Sequence, residues 1–324
     1  MRRHLFFSPI LTVREMYNNP FPYSIDNKRY HTLNYHLKTV YGERVMRASL
    51  DAGFTCPNID GKCGSGGCTY CISGASEFTE KGSITHQLEK ERERIFKKFG
   101  KVPLIAYFQA HTNTYAPVEV LKAKYEEALN FPDVVGISIA TRGDCLGEEV
   151  VALLCEISEK TNLSVELGLQ TIRDDIAKKC NRGHSYKEFE EGYFRLKNAG
   201  IRSCIHIING LYDETFEDMV NTAKTVGELN PDGVKIHLLH IMSGTIMEKE
   251  LENGKILPMS YEDYIKTICT QLRYLPKECV IERITGDGSR EKLIAPKWSI
   301  DKIRVLGGID KYMADNNIFQ GDML

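Results

Sequence analysis

Short apolar runs alternate with longer amphipathic segments along most of the chain. The apolar runs predict strands over Val45–Leu50, Leu104–Gln109, Val134–Ala140, Ser164–Gln170, Cys204–Asn209 and Val234–Leu239. Helices are predicted between them. Ser83–Phe99 opens on a serine, a good cap, and Pro117–Asn130 on a proline, which suits a first turn because no N–H is needed there. Gly147–Lys160 carries Val150, Leu153, Leu154 and Ile157, the i, i+3, i+4, i+7 stripe of one buried face. Tyr186–Ala199 and Asp213–Leu229 complete the series. Six strand–helix units in succession imply a parallel α/β sheet with right-handed crossovers. The strands read as apolar nearly throughout, as a sheet covered on both faces requires. After about residue 245 the alternation fades. The expected organisation is an N-terminal segment 1–44, a β/α core 45–245 and a smaller C-terminal extension 246–324.

Polar residues that look out of place in a core fall just after strands: Cys56, Gln109 with Asn113, Thr141–Asp144, Gln170, Asn209–Gly210 and His240–Thr245. The element pattern alone does not separate an open doubly wound sheet from a full or partial barrel. The polar residues do favour one. Barrel enzymes collect chemistry at the C-terminal ends of all their strands, whereas an open sheet concentrates it at one switch point. Here every unit contributes, which points to a barrel mouth.

Composition excludes the extremes. The 324 residues include 42 Lys and Arg against 44 Asp and Glu, with 42% hydrophobic and 27% charged, an ordinary globular balance. No apolar stretch approaches the ~18 residues of a membrane span, and residues 4–13 do not read as a signal peptide. Ten cysteines change the picture, because Cys56, Cys63, Cys68 and Cys71 fall in one glycine-rich loop. The other six sit mostly in apolar or helical contexts and read as small core hydrophobes. Clustered thiols in a chain of this length suit a metal site in a reducing compartment, so a cytoplasmic location is expected. The spacing leaves three readings open. A redox dithiol would use Cys68 and Cys71, a structural zinc site all four cysteines, and an iron–sulfur cluster three of them with one iron open.

A three-cysteine loop after the first strand of a six-unit β/α chain resembles the radical S-adenosylmethionine (SAM) enzymes. In detail the chain is similar to the YhcC/YtqA-type family, relatives of the radical SAM half of the Elongator catalytic subunit. The match rests on FTCPNIDG at 54–61, GGCTYC at 66–71, YFQAHTNTYAP at 107–117, SIATRGDC at 138–145, VELGLQT at 165–171, NRGH at 181–184 and IAPKWS at 294–299. The first cysteine spacing is long, C-x11-C-x2-C. Two loops depart from the family pattern: Gly143 stands where relatives have proline, and Gly210–Glu214 replaces a GLPGE stretch.

The resemblance implies a partial (β/α)6 radical SAM barrel in which Cys56, Cys68 and Cys71 ligate a [4Fe–4S] cluster, leaving Cys63 a free loop thiol. The open iron would chelate the amino and carboxylate groups of SAM, and an electron donor such as flavodoxin or ferredoxin would reduce the cluster. Arg182 is then expected to fork onto the SAM carboxylate. Gln170 offers a donor and an acceptor to a ribose hydroxyl. Glu166 lies four residues earlier on the same strand face and is a second inward polar group. Gln109 and Asn113 stand where radical SAM proteins grip the methionyl amino group. His206 and His237, inside apolar strands, read as core residues or substrate contacts. Arg142 and Asp144 are expected to pair across a strand end.

For the substrate, residues 1–47 hold eight Arg or Lys and three Asp or Glu, interleaved with Tyr17, Tyr23, Tyr30, Tyr35 and Tyr41. Basic groups with aromatics suit looped or single-stranded RNA, although the tyrosines could equally pack on the barrel. Residues 281–304 add a weaker basic bias. The Elongator likeness implies tRNA, and a step on the C5 side chain of the wobble uridine, from carboxymethylaminomethyl towards aminomethyl. The alternatives are a radical SAM enzyme acting on a small metabolite or peptide, and a non-catalytic RNA-binding module stabilised by zinc or a cluster.

Overall fold

The computed structural model describes residue 21, residues 28–72 and 79, and residues 81–286 and 288–324. Seven strands form one parallel sheet in strict sequence order: β1 (Met46–Leu50), β2 (Leu104–Phe108), β3 (Val134–Thr141), β4 (Asn162–Gln170), β5 (Ser203–Asn209), β6 (Gly233–Leu238) and a seventh strand, Val280–Arg283. An unreversed order is that of a curled, singly wound sheet, and the result is a partial barrel. A two-residue strand β7 (Ile241–Met242) pairs antiparallel with β9 (Leu293–Ala295) beside it; the seventh strand of the sheet is β8 in chain order.

The helices form for the reasons the sequence suggests. Ser83 caps the helix Ile84–Phe99 through the backbone N–H of His86. The helix Tyr186–Asn198 opens on a reciprocal capping box between Ser185 and Glu188. Phe216–Leu229 starts three residues later than predicted, because Thr215 and Asp218 form the box that fixes its first turn.

Two expectations change. The strands are not apolar on both faces. Their outward positions, such as Leu50, Phe108, Ile139, Leu167, Ile207 and Ile236, pack into the core beneath the helices. Their inward positions are small or polar: Arg47, Tyr107, Ser138, Glu166, His206 and Lys235 lie on the alternate face, in register across neighbouring strands. The seventh strand is the other change. It comes from the region expected as an extension, and its sequence VIER is too short and too charged to read as a strand. It is held by pairing with β6 and by a bridge from Thr32 to Ile281.

The start of the described chain packs against that edge. Tyr30 is buried, Lys28 pairs with Asp310, and Arg29 bonds Asn317. Tyr30 is therefore core rather than a stacking platform. Tyr17 and Tyr23 lie outside the described residues.

Candidate functional site

The cysteine loop follows β1 and is held from beneath by the segment Cys180–His184. Thr69 N–H donates to the Cys180 carbonyl at 3.0 Å, and the Asn181 amide donates to the carbonyls of Ser65 and Gly67 at 3.0 and 2.7 Å. Gly66 and Gly67 take φ of 80° and 75°, a left-handed turn that favours glycine.

Donors converge on two of the sulfurs. Arg142 Nη1 lies 3.7 Å from Cys56 Sγ, and Asn58 Nδ2 lies 3.4 Å from Cys68 Sγ. Tyr70 bonds Cys68 as well. Burial raises the Cys68 thiol pKa, and the bonds from Tyr70 and Asn58 oppose it. Arg142 is fixed for this task by a fork onto Asp144, at 2.9 and 2.7 Å, and by the Arg182 carbonyl at 2.9 Å. Burial alone would raise the Asp144 carboxyl, but Arg142 holds it below the usual range. The expected Arg142–Asp144 pair is present. Its reach to Cys56 was not legible in the sequence. Cys63 is exposed, with Sγ 4.0 Å from Asp144 Oδ2.

A cavity of about 320 Å³ opens at the C-terminal strand ends. It brings Cys71, Gln109 and Gln170 together with Tyr107, His206 and Lys235. Gln109 accepts from Ser49 Oγ at 3.4 Å. Gln170 sits at φ 66°, a conformation uncommon outside glycine, and a Cβ at Gly168 would stand 2.5 Å from its Nε2. A glycine two residues before it thus leaves room for the amide to fold back over the strand.

Glu166, Asn113 and Arg182 do not line this cavity. The Asn113 amide donates to the carbonyls of Phe108 and Ala140 at 3.0 and 2.9 Å, pinning the loop after β2 to β3. Arg182 is buried; it donates through Nε to the His184 carbonyl at 3.0 Å, and through Nη1 to the Thr171 carbonyl at 2.8 Å and to that of Leu169. It therefore braces the turn that presents Gln170.

Glu166 is the centre of a buried network below the cavity. Its Oε1 accepts from Ser138 at 2.8 Å and lies 3.1 Å from Arg47 Nη1. Its Oε2 accepts from Tyr107 at 2.8 Å, meets His206 Nε2 at 2.9 Å and accepts from Lys235. Burial would favour the neutral acid, but Lys235 and Arg47 hold the carboxyl well below its usual range. Burial lowers the Lys235 pKa, while contact with Glu166 keeps the proton in place. Burial and Lys235 likewise lower His206, so Glu166 fixes its Nε2–H tautomer. Of this network, only Glu166 and His206 stood out in the sequence. Tyr107, Ser138, Lys235 and Arg47 carry one signal, alternate placement along strands.

The Radical SAM superfamily model matches residues 60–226, and the Radical_SAM C-terminal domain model matches residues 231–315. The chain belongs to the radical SAM superfamily. The uncharacterized protein YtqA of Bacillus subtilis is 48% identical over 309 residues, covering 94% of this chain and 96% of YtqA. A tRNA uridine(34) acetyltransferase of Methanocaldococcus infernus is 28% identical over 156 residues, 47% of this chain and 29% of that protein. Among solved structures, the Elp3 of Methanocaldococcus infernus with an N-terminal deletion superposes with TM-score 0.66 at 18% identity, covering 85% of this chain and 64% of that one. The chain thus spans less than two thirds of that structure, and the likeness concerns the fold. As a radical SAM enzyme the protein uses a [4Fe–4S] cluster and SAM, cleaving SAM reductively to abstract hydrogen from a substrate. The loop fits such a group: three thiols share one glycine-rich turn, and N–H and O–H donors are already aimed at two of them. Among the described residues no helix is long and apolar enough to cross a membrane.

Proposed function

We propose that this protein modifies the C5 side chain of the wobble uridine in tRNA, from carboxymethylaminomethyl towards aminomethyl, with Cys56, Cys68 and Cys71 as the cluster ligands; SAM is consumed as the two-electron oxidant, the abstracted hydrogen leaves in 5′-deoxyadenosine, and the carboxymethyl carbons leave as glyoxylate after water hydrolyses the resulting imine. The observation that carries this reading is a single cavity in which Cys71, Gln109 and Gln170 meet the inward polar groups Tyr107, His206 and Lys235. Cys56, Cys68 and Cys71 would hold the cluster, which would supply the electron for reductive cleavage of the SAM sulfonium. The chain's own residues do the rest. Gln109 and Gln170 orient the cofactor from the strand ends, with Asn113 and Arg182 as positioning residues that hold those ends in place.

The tRNA assignment draws on the partial likeness to a tRNA uridine(34) acetyltransferase and on basic side chains near the mouth. Arg283 lines the cavity, and Arg290, Lys297, Lys302 and Arg304 surround a neighbouring groove beside Trp298. Such a surface suits phosphate contacts with an aromatic for stacking. A donor of the flavodoxin or ferredoxin class would supply the electron. The test is anaerobic reconstitution with iron, sulfide and SAM, followed by measurement of 5′-deoxyadenosine with and without bulk tRNA. Stimulation by tRNA is expected. Turnover indifferent to tRNA would favour a small substrate instead.

A further inference from the structure

His206 stands where the buried network below the cavity meets the cavity itself. Its Nε2 lies 2.9 Å from Glu166 Oε2, yet the ring is part of the cavity wall and 18% of the side chain is exposed. Lys235 and Arg47 keep Glu166 ionised. A carboxylate only accepts, so the hydrogen of the neutral imidazole is on Nε2 and the lone pair is on Nδ1. Nδ1 is accessible and has no hydrogen-bond partner among the described residues.

The neighbouring groups are poorer acceptors. Tyr107 and Lys235 direct their hydrogens to Glu166, and burial pushes the Tyr107 phenol well above its usual range. His237, with its ring centroid 5.3 Å from that of His206, has its Nε2 buried, as does His240. A proton taken at His206 Nδ1, by contrast, makes an imidazolium whose other N–H already rests on a carboxylate, the arrangement that stabilises the charged form. Burial and Lys235 oppose that form, so the ring stays neutral until a proton is delivered.

The proposed reaction has one proton to deliver. Converting the secondary amine of the side chain to its imine breaks a C–H and an N–H bond, forms the C=N bond, and releases two electrons and two protons. SAM takes up both electrons and one of the protons as methionine and 5′-deoxyadenosine form. The remaining proton is the one on nitrogen, and hydrolysis of the imine consumes only water. We infer that His206 Nδ1 is the general base that accepts this proton, with Glu166 as the positioning residue that holds the ring. The inference rests on the proposed oxidation of the C5 side chain and deepens it by naming the residue that completes it.

Two variants of the reconstituted protein separate a base from a structural ring. His206→Gln keeps an N–H for Glu166 but removes the basic nitrogen, and His206→Ala opens space for an added imidazole. Both should bind SAM as the parent does. Aminomethyluridine formation on tRNA should fall at least about a hundredfold in each. Added imidazoles should rescue His206→Ala, faster as the pKa of the imidazole rises. Full activity in His206→Gln, or rescue that ignores imidazole pKa, would overturn the inference. A second readout needs neither tRNA nor turnover: diethyl pyrocarbonate, which acylates accessible neutral imidazoles, should label His206 in the parent protein, as read by peptide mass spectrometry. An unlabelled His206 would overturn the inference by itself. Labelled His206 in a parent protein that forms no aminomethyluridine would remove the tRNA reading and still support an accessible base in the cavity.

Discussion

Arg47 on the first strand and Glu282 on the last meet at 2.6 Å across the interior of the half-barrel. The two strands are opposite edges of the sheet, and among the described residues no backbone ladder joins them. The pair therefore does for the open side what hydrogen bonding does elsewhere, and Arg202 shares Glu282 at 3.0 Å. Glu282→Ala would leave two arginines without their shared carboxylate, and the expected loss of stability is about 3–5 kcal/mol in denaturant unfolding. A loss under about 1 kcal/mol would mean that the pair does not close the barrel.

The same contact sets an acid limit. Burial would raise the Glu282 carboxyl, but Arg47 and Arg202 lower it to about 2, against an unfolded value of 4.5. A depressed native pKa contributes stability that is complete above the unfolded value and disappears as pH falls through the native one. Stability should drop steeply between about pH 4.5 and 2. Glu282→Gln, already lacking the charge, should show a flatter pH dependence in that window. Identical slopes in the two proteins would contradict the assignment.

Single Ala replacements at Cys56, Cys68 and Cys71 should each abolish the visible iron–sulfur absorption after reconstitution, and Cys63→Ala should keep it. Replacing Asn58 by Ala or Arg142 by Gln should retain the absorption but remove an N–H···S bond. The reduction midpoint should then move to more negative potential, as expected when donors to cluster sulfurs are lost. Potentiometric titration reads this directly, and an unchanged midpoint in both variants would exclude a tuning role.

Much of this was visible in the sequence, for identifiable reasons. All six predicted strands and five predicted helices are present within a few residues, because apolar periodicity and caps such as Ser83 are local signals. The seventh strand, VIER, was missed because its stability comes from pairing with β6 and from the Arg47 and Arg202 contacts made by Glu282. The cysteine loop was legible from spacing. The network around Glu166 was not, because Arg47 and Lys235 lie far from it in the chain and look like ordinary surface cations until the strands pair.

Gly143 shows how a departure from a family pattern finds its reason in packing. It lies flush against the helix Tyr186–Asn198, where a Cβ on Gly192 would stand 2.1 Å from the Gly143 carbonyl oxygen. Gly192→Ala must push the helix away from the turn that aims Arg142 at Cys56. The expected cost is about 1–3 kcal/mol, read as a lower Tm. A Tm unchanged from the parent protein would show that the helix shifts freely.

The most direct test of the central claim is nucleoside analysis of tRNA after incubation with the reconstituted protein, SAM and a low-potential reductant. The account predicts loss of carboxymethylaminomethyluridine and a matching gain of aminomethyluridine, accompanied by 5′-deoxyadenosine, with none of these in Cys68→Ala. Unchanged wobble nucleosides alongside 5′-deoxyadenosine formation that ignores tRNA would contradict it.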